Sequence, residues 1–364
     1  MKECYLYDKQ KNKIVKCNAC SHRCTIADGK VGICGVRKNI DGKLYSLVYG
    51  KTAAFNIDPI EKKPLFHFMP NTKILSFGTV GCNFRCSFCQ NWEISQAPRE
   101  AARNGRDGIF GEEMSPEEIV NMAVKNNCPS IAYTYNEPAI FIEYAFDTAK
   151  LAHETKLTDA KTNTANGDAM DIIKNIYVSN GYETKEALEL MKPYIDAMNI
   201  DLKSFSEEFY KEVCGAKLAP VLETIKRAHD LGFWIEITTL IIPGKNDSEK
   251  ELTKIAEFIA SIDKNIPWHV SRFFPMYQML EVIPTPEKTL LKAYDIGKKA
   301  GLNYVYVGNL LLDSKENTYC PKCNELLIKR HGFAIMENKL VKESAKSKSK
   351  DTCPKCKTKI AGVF

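Results

Sequence analysis

Eleven of the 14 cysteines in this 364-residue chain fall into three tight clusters, and no other feature limits its possible folds so strongly. The start Met1-Lys2-Glu3-Cys4 is polar and unlike an export signal. A cytoplasmic, reducing setting is therefore expected, where clustered thiols hold metals rather than pair as disulfides. The first cluster is Cys17-x2-Cys20-x3-Cys24-x9-Cys34, with His22 inside it. Too few apolar residues lie around it for an independent core, so a metal is the natural staple. Its spacing leaves zinc and an auxiliary iron–sulfur cluster both open, and a reduced, metal-free strap is the plain alternative. The last cluster is a pair of knuckles, Cys320-Pro-Lys-Cys323 and Cys353-Pro-Lys-Cys356. Four soft thiolates with tetrahedral reach suit a structural Zn²⁺ in a zinc-ribbon or rubredoxin-like module, although a single iron fits the same geometry. Cys4, Cys128 and Cys214 have no partners in sequence and read as small apolar residues.

Between the outer clusters the texture alternates. β-rich runs at Lys73–Gly78, Ser130–Tyr135, Asn175–Ser179, Ala197–Leu202, Phe233–Ile241, Trp268–Phe273 and Asn303–Val307 are separated by helical stretches. Ser115-Pro116-Glu117-Glu118 combines an N-cap, a Pro at the first helical position and a capping-box Glu. Gly232 and Gly301 stand where a left-handed residue would stop a helix. Such alternation predicts an α/β fold with a parallel sheet, a barrel or a doubly wound sheet, whose ligands sit at the strands' C-terminal ends. The expected units are a Cys-rich segment over 1–68, a core over 69–312 and a four-Cys module over 313–364. Thr158–Asp171 is polar and long for a connection, so it reads as a surface excursion, and Lys346–Lys350 reads as a solvated loop tip.

The strongest chemical signal is Gly81-Cys82-Asn-Phe-Arg-Cys86-Ser-Phe-Cys89, directly after the first of those strands. Three thiolates on one short loop reach three corners of a [4Fe–4S] cubane and leave the fourth iron without a protein ligand. A structural zinc would need a fourth ligand, and nothing marks His67, the nearest upstream histidine, for that part.

This loop resembles the signature of radical S-adenosylmethionine (SAM) enzymes. Gln90-Asn91-Trp92, Tyr133-Thr-Tyr-Asn-Glu-Pro138, Asp201-Leu-Lys203, Ile242-Pro-Gly-Lys-Asn-Asp247, Pro267-Trp-His-Val-Ser-Arg-Phe273 and the paired knuckles extend the resemblance over nearly the whole chain. The full set is similar to the pyruvate formate-lyase-activating-enzyme-like branch, and within it to the radical SAM member of the AmmeMemoRadiSam system. The resemblance implies a partial (β/α)6 barrel in which SAM chelates the open iron. An electron from the cluster then splits SAM into methionine and a 5′-deoxyadenosyl radical, which takes hydrogen from a substrate. It further implies that Phe88 packs near adenine and that Glu137, after Asn136, accepts from the methionine ammonium. Ser179 and Asn180 would meet SAM, Lys203 its carboxylate, Asp201 the ribose side and His269 the nucleoside. Val178 replaces an Asp tied to a cation site in the activating enzymes. Read alone, Phe88 and His269 serve equally as core residues, Glu137 as a helix N-terminal acid, and Asp201–Lys203 as a buried ion pair.

The implied partners are a ferredoxin- or flavodoxin-like electron donor and Memo-like and AMMECR-like proteins, with the substrate unnamed. A glycyl-radical activating enzyme shares all the SAM chemistry and is the nearest alternative. A zinc-ribbon nucleic-acid adaptor is the alternative of another class, suggested by the basic end. The net charge of +6 resides in residues 313–364, with 12 Lys/Arg against 6 Asp/Glu, whereas residues 1–312 balance at 39 each. A neutral body argues against nucleic acid. No apolar run approaches the ~20 residues that span a bilayer, so no membrane role is expected.

Overall fold

The computed structural model describes residues 1–156, 172–312, 314–340 and 351–364. The expectations for Thr158–Asp171 and Lys346–Lys350 lie outside them. An eight-stranded mixed sheet organises the molecule. Its strands are β1 (Ala54–Pro59), β2 (Lys73–Gly78), β3 (Ser130–Tyr133), β4 (Lys174–Ser179), β5 (Ala197–Asp201), β6 (Trp234–Ile241), β7 (Trp268–Arg272) and β8 (Val305–Gly308). They lie side by side in chain order; β2 to β8 are parallel and β1 runs antiparallel to β2. The antiparallel edge strand belongs to the segment read from sequence as the Cys-rich unit, so the main sheet begins before residue 69.

The parallel strands are buried on both faces, as their near-continuous apolar runs require. On one face, Phe77, Tyr133 and Tyr177 pack edge to face at 5.2 and 5.6 Å across β2, β3 and β4. Helices α1 (Pro116–Lys125), α2 (Ile142–Glu154), α3 (Lys185–Met191), α4 (Leu218–Asp230), α5 (Glu249–Ile262) and α6 (Glu287–Lys299) connect the strands. The Ser115 cap and its Glu118 return bond form the complete capping box. Gly232 and Gly301 take φ of +79° and +91° just past α4 and α6, the left-handed stops expected of them.

The N-terminal segment forms two small antiparallel sheets. A buried ion pair docks it on α2: Arg37 Nη1 and Nη2 donate to Glu143 at 2.9 and 2.7 Å. The C-terminal segment is a three-stranded antiparallel sheet (Thr318–Tyr319, Leu326–His331, Ala334–Asn338). It packs Leu327, Ile328 and Leu340 against Phe66, Tyr304 and Tyr306. His67 clamps that contact, with Nδ1 2.7 Å from the Ala361 carbonyl and Nε2 2.6 Å from the Tyr306 hydroxyl. Among the described residues, no helix is long and apolar enough to cross a membrane.

Candidate active site

The loops that leave the C-terminal ends of β2 to β5 converge. Gly78 ends β2 where a Cβ would lie 2.3 Å from the Thr134 carbonyl, so only glycine allows the chain to pass there. The cysteine loop follows, pinned at its root by Asn136, whose Nδ2 donates to Thr79 Oγ1 at 3.0 Å and to the Gly81 carbonyl at 2.8 Å. Arg99 clamps the loop from outside, donating to the carbonyls of Cys82, Phe84 and Ile33 at 2.7, 2.7 and 2.9 Å. Cys82 and Cys86 are buried and Cys89 is half-buried, 3.2 Å from Ser95 Oγ.

Tyr135 adopts φ of +69°, a conformation that favours glycine. That conformation costs a side-chain-bearing residue roughly 1–2 kcal/mol. Two amides hold it: Asn91 Nδ2 donates to its carbonyl at 2.8 Å, and Asn56 Nδ2 to its hydroxyl at 3.1 Å. The turn delivers Glu137 into the interior, where its carboxylate accepts from Ser179 Oγ (3.1 Å), Asn180 N (2.8 Å) and Ala139 N (3.1 Å). Asn180 Nδ2 donates to Asn83 Oδ1 at 2.8 Å and lies 3.9 Å from Cys82 Sγ. Glu137, Ser179, Asn180 and the first cysteine are thus one hydrogen-bonded unit. Burial, and then the neighbouring Glu183 carboxyl, push Glu137 well above the ordinary carboxylate range.

At the end of β5, Lys203 Nζ donates to Asp201 at 2.7 Å and sits 5.7 Å over the Phe88 ring. Burial pushes the Lys203 ammonium down, but the Asp201 carboxylate beside it holds it well above its usual value. It is a fixed cation facing the thiols. The Cys86 thiol is pushed up first by the thiol of Cys214 and then by burial, and burial likewise raises Cys82 and Cys89. Thiols this reluctant to ionise become thiolates only when a metal takes the proton's place.

His269 lies apart from this constellation. Its Nε2 is 2.7 Å from Glu236, and its ring stacks at 5.3 Å on Tyr306 and edge-on to Phe66, the geometry of a satisfied core histidine. Sequence reasoning missed Cys214, Glu183 and the Arg99 clamp. Cys214 and Glu183 come from chain segments distant from the loop, so local spacing carries no trace of them, whereas Arg99 follows ten residues after Cys89 on the short helix Ala97–Arg103 and is marked by no motif.

The cysteine sets differ in spacing. Among the described residues, Cys320, Cys323, Cys353 and Cys356 form the group whose ligand atoms all lie within 4.8 Å of one another. Cys320–Cys356 and Cys323–Cys353 are 3.5 and 3.7 Å apart. Tetrahedral Zn–S bonds of ~2.3 Å place sulfurs ~3.8 Å apart, so this set has the shape for one metal ion. The central three are not drawn together in this way, and the burial of Cys82 and Cys86, the Lys203 cation and the unpartnered, buried Asn180 Oδ1 suit a larger sulfur-bearing group with a polar ligand beside it.

A family model described as the radical SAM superfamily matches residues 77–259. An uncharacterised protein, MJ0808 of Methanocaldococcus jannaschii, is 44% identical over 92% of each chain. The pyruvate formate-lyase-activating enzyme of Listeria monocytogenes is 22% identical over 58% of this chain and 83% of its own. The structure of Streptococcus suis SuiB bound to SAM aligns over 69% of this chain and 53% of that one, at 13% identity and a TM-score of 0.47. The matched span holds the three-cysteine loop, Glu137, Ser179, Asn180, Asp201 and Lys203 together, and this chain belongs to the radical SAM superfamily, whose members are enzymes of reductive SAM cleavage.

Proposed function

We propose that Cys82, Cys86 and Cys89 hold a [4Fe–4S] cluster whose open iron receives SAM, and that the chain carries out radical chemistry on a substrate yet to be identified. The observation that carries this reading is the union of three clustered cysteines, two of them buried, with the Glu137–Ser179–Asn180 unit and the Lys203 cation at one end of one sheet. When bound, the cluster and SAM supply the electron and the homolysis; the chain supplies placement and exclusion of water. Lys203 is positioned for the SAM carboxylate, and Phe88, under it, for the adenine side. The Glu137 unit orders the Asn180 turn for the methionine end.

A cavity of about 580 Å³ opens beside the loop, lined by Asn83, Arg85, Arg99, Arg103, Lys211 and Lys217 among others. Its basic rim suits an acidic one-electron carrier of the ferredoxin or flavodoxin kind, docking close to Cys82. The four C-terminal cysteines fit a structural zinc that staples their small sheet. Cytoplasmic residence and Memo-like and AMMECR-like partners complete the reading. The activating-enzyme relative favours a second one, in which the substrate is a backbone glycine of a partner protein.

Anaerobic reconstitution tests the core of the proposal. The protein should take up about four irons at the central loop and, with dithionite and SAM, release 5′-deoxyadenosine. No release from reconstituted protein would refute it. Deuterium transfer into 5′-deoxyadenosine from labelled small-molecule extract, as against labelled protein, separates the two substrate classes.

A further inference from the structure

The N-terminal segment brings Cys17, Cys20, Cys24 and Cys34 around one narrow pocket of about 10 Å³. Cys17, Cys20 and Cys34 are buried and Cys24 is half-buried. The same cavity is lined by Arg37 and Asn83. Each of these carries a buried N–H donor with no partner, Arg37 Nε and Asn83 Nδ2. Arg37 is 2% exposed and Asn83 1%. Orphaned donors so deep are costly unless an acceptor completes them. Four thiolates and bridging sulfides offer such acceptors, and N–H···S bonds are what iron–sulfur sites collect.

Spacing sets the two outer cysteine groups apart. The C-terminal four sulfurs are drawn together at single-ion separation, whereas among the described residues the N-terminal four are not, and in this they match the central three. Position gives the set a purpose. His22, inside the motif, has Nε2 2.9 Å from the carbonyl of Asn83, the residue after Cys82. A Cβ built on Gly81, the residue before Cys82, would lie 2.8 Å from the Cys34 carbonyl, so the two cysteine loops touch backbone to backbone.

We propose that Cys17, Cys20, Cys24 and Cys34 hold an auxiliary iron–sulfur cluster that hands single electrons to the central loop. Each electron enters from a reduced low-potential carrier, which is oxidised, and leaves toward the centre at Cys82, which is reduced; no proton moves and no covalent bond changes. His22, Ile33 and Asn83 line both this cavity and the basic one beside the loop, so the docking face for a carrier borders the auxiliary site. The relay rests on the radical SAM reading; the cluster itself does not.

The test uses the full chain with the central loop disabled, Cys82→Ala/Cys86→Ala/Cys89→Ala, reconstituted anaerobically with iron, sulfide and zinc all present. It should keep two or four irons with matching acid-labile sulfide and give an electron paramagnetic resonance signal on reduction. Adding Cys20→Ser should remove that signal, with circular dichroism confirming the fold. Cys34→Ser serves in its place if the Cys20→Ser variant does not fold. One zinc and no iron in the disabled chain, or no metal in a folded one, overturns the proposal. Wild type that cleaves SAM while holding only the central irons also overturns it and leaves the proposed function standing. Iron retained in the disabled chain with no SAM cleavage by wild type sinks the radical SAM reading instead.

Discussion

The central cysteine loop and the C-terminal knuckles use the same ligand to opposite ends. In the knuckles, four sulfurs close at 3.5 and 3.7 Å on a sheet of three short strands, and the metal they suit has nothing left to bind. In the loop, three sulfurs spread over a sheet end, with a cation, a carboxyl unit and an unpartnered amide oxygen beside them. A small sheet needs a staple and gains most from saturated coordination, whereas the loop is already held by Asn136 and Arg99 and can leave coordination unfinished. Closed shells stabilise; open ones react.

The largest contrast should come from cutting each set. Cys82→Ala/Cys86→Ala/Cys89→Ala should bring SAM cleavage to background with little change in thermal midpoint. Cys320→Ser should do the reverse, lowering the midpoint on the order of 10 °C while the folded fraction cleaves SAM at close to the wild-type rate. Calorimetry beside a 5′-deoxyadenosine assay reads both, and a loss of cleavage in folded Cys320→Ser protein would break the contrast. Next in size is the N-terminal docking pair. Glu143→Gln strips one charge from the buried Arg37–Glu143 bond and should cost about 3–5 kcal/mol in denaturant unfolding. A cost under 1 kcal/mol would mean that the segment is held otherwise.

The contact between the knuckle module and the sheet should be sensitive to acid. Burial lowers the His67 imidazole to about 4. The unfolded chain therefore binds a proton near pH 6.5 that the folded one refuses until about 4, and stability falls as pH drops through that window. Between pH 7 and 5 the loss should be about 2 kcal/mol, and His67→Gln should flatten this part of the profile. The same slope in the variant would assign the sensitivity elsewhere. The smallest effect is the reference point: Ser115→Ala removes half of a capping box far from any cysteine. It should cost about 1 kcal/mol and leave both metal sites unaltered.

Much of this was legible in the chain before the fold was known. Lys73–Gly78 was bounded by its apolar run and the glycine that ends it, and the seven parallel strands follow the β-rich runs within a residue or two. The capping box and the stops at Gly232 and Gly301 are local chemistry, and local chemistry is what spacing reports. The antiparallel strand Ala54–Pro59 was not legible. Its identity depends on pairing with β2, and its outward residues Asn56 and Ile57 show no clean alternation. Cys4 and Cys214 looked solitary, yet Cys4 feels Arg37, Cys17 and Cys34, and Cys214 meets Cys86. The turn at Gly215, φ of +68° after the one-turn π-helix Tyr210–Cys214, brings that last thiol in. At the site, the residue types were readable from motif, but Glu137 turned out to be wrapped by the Ser179–Asn180 turn, a partnership that only the parallel pairing of β3 and β4 creates.

Cys214 also supplies the most direct trial of the open-corner claim, since its thiol meets that of Cys86. The measurement is the electron paramagnetic resonance spectrum of the reduced central cluster in Cys214→Ala and in wild type, with and without SAM. The account predicts that both proteins bind the cluster and that SAM shifts the signal in both. A cluster that needs Cys214 to form, or whose signal is indifferent to SAM, would mean that the fourth iron is already occupied.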